Sequence, residues 1–191
     1  MTVSKTITVE KLEAARRQLH TAIRLWFDDG DPVSIHALLS AAHEIIHTRF
    51  RLKGLKGLLF DSPHIPDSER SNFGKVVTKA AVFFKHARSD PYAELHFRSE
   101  ANEFLMSVCV QGVWRMGEEI AMEEAIVALW LGVHRPAWSP GGLADSPAEY
   151  LDELRKLSKG HFFHHFVDLW LTGELRGAVA DIQRRMLSRL S

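Results

Sequence analysis

The sequence predicts an all-α fold, a bundle of six to eight helices that runs up and down through its first half with little or no strand. Three observations lead there. Apolar residues recur at steps of three and four along most of the chain, which is the period of a helix face and not of a strand. Helix punctuation, with Asp or Ser before an apolar run and Gly or Pro after it, recurs between those runs. Only residues 92–97 could be extended, and so short a stretch cannot build a sheet.

The first helix is expected over residues 8–27, where Val9, Leu12, Ala15, Leu19, Ala22, Ile23, Trp26 and Phe27 keep the helical spacing and Thr8 supplies a cap. Asp28, Asp29 and Gly30 end it. Asp31 followed by Pro32 reads as an N-cap and first helical residue, and Val33, Ile35, Leu38, Leu39, Ala42, Ile45, Ile46 and Phe50 carry the second helix. So short a connection makes the two an antiparallel hairpin.

Residues 51–67 hold Gly54, Gly57, Pro63 and Pro66 around an apolar patch of Leu58, Leu59 and Phe60, and read as a loop pinned by that plug. A third helix follows over 68–87, and Ser89, Asp90 and Pro91 break it. Further helices are expected at 99–116, 118–133, 146–158, 161–171 and 173–190. Ser146, Pro147 and Glu149 read as a capping box with proline at the first helical position. Residues 136–145 are expected to form a surface loop. The chain is expected to be one helical domain over 1–191, and a subdivision, if there is one, falls near 134–146. Trp26, Leu38, Ile45, Val77, Phe84, Phe104 and Leu105 are the expected core.

Lys plus Arg and Asp plus Glu number 24 each, so no whole-molecule field gathers polyanions and a strongly electrostatic nucleic-acid or membrane binder is disfavoured. The single cysteine, Cys109, sits in an apolar run; no internal disulfide can form, and it is expected to be a buried small hydrophobe. The polar start of the chain lacks a signal-peptide pattern, and no apolar stretch approaches the ~20 residues that span a bilayer. A cytoplasmic protein without a membrane partner is expected. Five tryptophans and 11 phenylalanines are more large apolar groups than amphipathic helices readily hide, which predicts a homodimer through the terminal helices and Trp130 and Trp138.

Three constellations could carry chemistry. His43, Glu44 and His47 form an HExxH string inside the second helix. Histidines four apart share a helix face and can grip one metal ion while the glutamate polarises a bound water, as in zinc hydrolases. The string resembles the zincin signature over these five residues. In a second group, His161, His164, His165 and Asp168 line one helical stripe. Facing histidine pairs are how helical bundles assemble metal sites, so His43 and His47 could join His161 and His165 around zinc or another divalent ion.

The third closes helix three: Phe83, Phe84, Lys85, His86 and Ala87, then Asp90 and Pro91. Cationic groups in a last helical turn complement the dipole and its free carbonyls. The same groups could form a site, with Lys85 holding an anion, His86 exchanging a proton and Asp90 orienting the ring. The basic run Arg49, Arg51, Lys53 and Lys56 is a further anion-binding candidate.

This stretch resembles a motif of uncharacterised bacterial helical proteins that read Asn-Phe-Phe-Lys-His-Ala-Asp followed by Asp-Pro, and the wider resemblance covers residues 18–104. Val82 stands here in place of the asparagine and Arg88 in place of the aspartate. Such proteins also resemble the HEPN superfamily, helical bundles acting as ribonucleases or nucleotide binders in bacterial defence and toxin systems. Its signature, an arginine four to six residues before a histidine, is met by Arg155 and His161. The resemblance implies a binding module for a nucleotide or RNA that needs no cofactor. The competing expectation is a metal-binding or zinc-dependent hydrolytic bundle.

Overall fold

The computed structural model describes residues 6–59, 67–68, 70–86, 90–136 and 146–188. Among these, eight helices and no strand are found: α1 (Lys11–Phe27), α2 (Pro32–Leu52), α3 (Arg70–Lys85), α4 (Ala101–Arg115), α5 (Met122–His134), α6 (Ala148–Lys156), α7 (Lys159–Thr172) and α8 (Glu174–Ser188). None is long and apolar enough to cross a membrane. Residues 92–97 carry no strand.

The α1–α2 hairpin forms as its punctuation predicts. The Asp31 carboxylate accepts from the Ser34 amide at 2.8 Å, and Pro32 occupies the first helical position, where its missing N–H is no loss. The turn before it is tight. Asp29 adopts a left-handed conformation with φ 52°, and a Cβ on Gly30 would stand 2.9 Å from the Leu25 carbonyl oxygen. The first helix starts at Lys11 with Glu10 before it, so Thr8 does not cap it.

Along α2 the fully buried stripe is Ile35, Leu39, Ala42, Ile46 and Phe50. Leu38 and Ile45, expected in the core, lie on its flank, half-buried and packed against it, and Val33 is exposed. Trp26 and Leu105 are buried as expected, whereas Val77, Phe84 and Phe104 are half-buried. The centre of the bundle is α4, which buries Met106, Cys109, Val110, Val113 and Trp114. Gly112 sets how closely α4 meets α2: a Cβ there would lie 2.6 Å from Ile46 Cγ2 and 2.9 Å from Leu58 Cδ2. Leu58 and Leu59 are buried and plug the loop after α2.

The second half packs back on the first through α5, which touches α1, α4, α6 and α7. Trp26, Phe27, Trp130 and Phe162 form an aromatic cluster there, with the centroids of the edge-to-face Trp26–Trp130 and Trp130–Phe162 pairs 5.5 and 5.0 Å apart. This corrects the placement of Trp130 on a subunit surface: it is 8% exposed. Trp26 and Trp114 are buried as well, so these aromatics are housed by the chain's own helices and give no argument for a dimer. Trp138 lies outside the described residues, as does most of the loop where a subdivision was expected. Helix α6 begins at Ala148 after Pro147 with no side-chain cap, so Ser146 stands one position too early to close a capping box.

A charge network invisible in the sequence clamps α1 to α5. Glu123 and Glu124 are 4% and 0% exposed. Glu124 accepts from Arg16 Nε at 2.9 Å and the Ala121 amide at 3.2 Å, and contacts His20 Nε2 at 2.8 Å. Arg24 bonds Glu123. Buried carboxylates persist when paired and hydrogen-bonded in this way.

Candidate site: a groove between α2 and α3

Two of the three constellations meet in one place. Helix α3 packs on α2, and between them runs a solvent-open groove of about 400 Å³. From α2 it is lined by Ala37, Ser40, Ala41, His43 and Glu44, from α3 by Val77, Thr78, Ala81, Val82, Phe84 and Lys85, with His86 just beyond that helix and Leu105 from α4. The α2 residues fall at the three- and four-residue steps of one helical face, which is why a helix can present all of them to a single neighbour.

Polarity is graded across the groove. His43 is 6% exposed, while Glu44, Lys85 and His86 are exposed, so the charged groups rim a largely apolar interior. Burial pushes the His43 imidazolium down to about 4, with a smaller push from the charge of His47. His43 is therefore a neutral imidazole at neutral pH. The His86 amide donates to the Val82 carbonyl at 3.0 Å, which sets His86 at the helix terminus, as the spacing predicts. Asp90 is exposed and does not line the groove.

The four-histidine metal centre is not assembled. His43 and His47 stack on one face of α2 with ring centroids 5.7 Å apart. His161 and His165 are exposed on α7, because that helix turns Phe162 and Phe166 into the core and its histidines away from it. Among the described residues no group of three or more His, Cys, Asp or Glu side chains is placed to hold a metal ion. The arginine of the HEPN-type spacing is engaged elsewhere: Arg155 bonds Asp152 at 2.6 Å and donates to the Val133 carbonyl at 3.4 Å. In the basic run, Lys53 donates to the Met116 carbonyl at 2.8 Å and pairs with Glu118 at 3.1 Å. Cys109 is fully buried, and burial raises its thiol pKa.

The sequence reading missed His36. One turn before Ser40 on α2, it is 4% exposed, and its Nδ1 lies 2.9 Å from Asn102 Oδ1. Asn102, 1% exposed, donates through Nδ2 to the Pro32 carbonyl at 3.0 Å. The spacing of His36, His43 and His47 along one helix was the available signal. Comparison with family models, curated proteins and solved structures finds no match to this chain.

Proposed function

We propose that the protein is a binding module for a small aromatic anion, with a mononucleotide as the ligand class, held in the groove between α2 and α3. The observation that carries this is the convergence of an apolar interior with Lys85 and His86 at the rim of the same groove. Its volume lies within the ~300–1,000 Å³ of small-molecule sites. A ring would sit against Ala41, Val77, Ala81 and Leu105, and the phosphate would meet the Lys85 ammonium and the His86 imidazole. A small ligand is favoured over RNA because the chain has no net charge and Lys53 of the basic run is tied to Glu118.

The test is calorimetric titration of the full chain with adenosine 5′-monophosphate. Saturable one-to-one binding is expected, weakened about tenfold or more by Lys85→Ala with His86→Ala. Ala81→Trp, which fills the groove from a half-buried position, should abolish it with little change in melting temperature. Absence of saturable binding, or binding indifferent to Ala81→Trp, overturns the assignment.

A further inference from the structure

His36 is a buried base whose Nε2 has no hydrogen-bond partner among the described residues. The Asn102 amide is held by its Nδ2 bond to the Pro32 carbonyl, so its Oδ1 faces His36 and can only accept. His36 Nδ1 must then carry the proton and donate. That fixes the tautomer and leaves Nε2 as a bare lone pair. Nε2 is buried and makes no hydrogen bond among the described residues. Leaving such an acceptor unpaired is unfavourable by about 1–3 kcal/mol, a penalty that native folds rarely carry without a use for it.

Besides Asn102, the ring meets aromatic neighbours. Phe97 lies 4.8 Å from it and Phe84 5.9 Å, both edge-on. Phe84 also lines the groove, as does Ala37, the next residue along α2. One half-buried aromatic side chain is thus shared by the groove and the orphaned nitrogen. A change of Phe84 to another staggered χ1 well would move one side chain and no helix.

We propose that His36 Nε2 is the inner hydrogen-bond acceptor of the groove, that Phe84 is the gate over it, and that the ligand's ring carries an N–H or O–H donor which reaches Nε2 when Phe84 turns aside. This rests on the groove being the ligand site. It adds the requirement that the ligand be an amino- or hydroxyl-bearing aromatic anion, bonded at its anionic end by Lys85 and His86 and at its ring by His36. The Asn102 contact makes the choice chemical as well as steric, since a nitrogen locked as an acceptor rejects a ring that offers a second acceptor.

The two ideas separate when adenosine 5′-monophosphate is compared with purine riboside 5′-monophosphate, which lacks the exocyclic amino group and is otherwise the same. The amino-bearing ligand should bind about tenfold more tightly, the value of one well-made buried hydrogen bond. That ratio should fall to about one in His36→Leu, and Phe84→Leu should tighten the amino-bearing ligand more than its analogue. Because the readout is a ratio within each variant, a general loss of stability does not imitate it. Equal affinities in the unaltered protein, or a preference that survives His36→Leu, refute the role of His36 while leaving the groove assignment standing. If neither nucleotide binds, both fall.

Discussion

Acid should destabilise this protein well before its carboxylates titrate, and His43 fixes the size of the effect. Its pKa falls from 6.5, taken as the unfolded value, to about 4 in the folded chain, chiefly through burial. Between those values the unfolded chain binds a proton that the folded chain refuses, so stability falls as pH is lowered. The contribution is fully present above the unfolded pKa and fully lost only below the folded one. Two and a half units at 1.36 kcal/mol each give about 3 kcal/mol in all, of which about 2 kcal/mol is gone by about pH 5. His36 and His134 are displaced in the same direction, also mainly by burial, and add to the slope. Urea unfolding at a series of pH values measures the effect directly. For a chain of this length, 3 kcal/mol corresponds to a fall in melting temperature of roughly 6–12 °C. His43→Leu should flatten the acid limb by most of that amount. A stability flat between about pH 7.5 and pH 5, or a His43→Leu variant with the slope of the parent, would show that His43 is not held neutral by the fold.

Glu124→Gln removes the charge that Arg16 and His20 face inside the α1–α5 interface and should destabilise the chain by about 3–5 kcal/mol, since breaking a buried pair leaves an uncompensated charge. A loss under ~1 kcal/mol in urea melts would reduce the network to a surface-like pair. Gly112→Ala should be net destabilising by about 1–2 kcal/mol, because overpacking against buried Ile46 and Leu58 outweighs the ~1 kcal/mol that alanine gains in helix propensity. A stabilised Gly112→Ala variant would mean that α2 and α4 can part at no penalty.

Much of the fold was legible because helices advertise themselves locally. Asp31 and Pro32 determine where α2 starts by what they do to their own amides, with no help from the rest of the chain. What failed was whatever depends on a neighbour. Ser146 looks like a cap, yet α6 starts two residues later. Trp130 looks like an excess apolar group until Trp26, Phe27 and Phe162 are brought around it from two other helices. The choice between Leu38 and Leu39 has the same origin, since the two are equally apolar and only the neighbouring helices decide which is fully buried.

The site follows the same rule at longer range. The HExxH string and the cationic end of α3 were each visible as separate patterns, and each suggested its own chemistry. Packing α3 on α2 places His43 and Glu44 opposite Lys85 and His86 and makes them parts of one groove. That juxtaposition also changes what the string means. A zinc site needs a third donor beside its two histidines, and among the described residues none is placed to join His43 and His47. His36 belonged to none of the three constellations. Its importance arises from Asn102, 66 positions away, which fixes the tautomer and so turns an ordinary core histidine into an acceptor waiting for a donor.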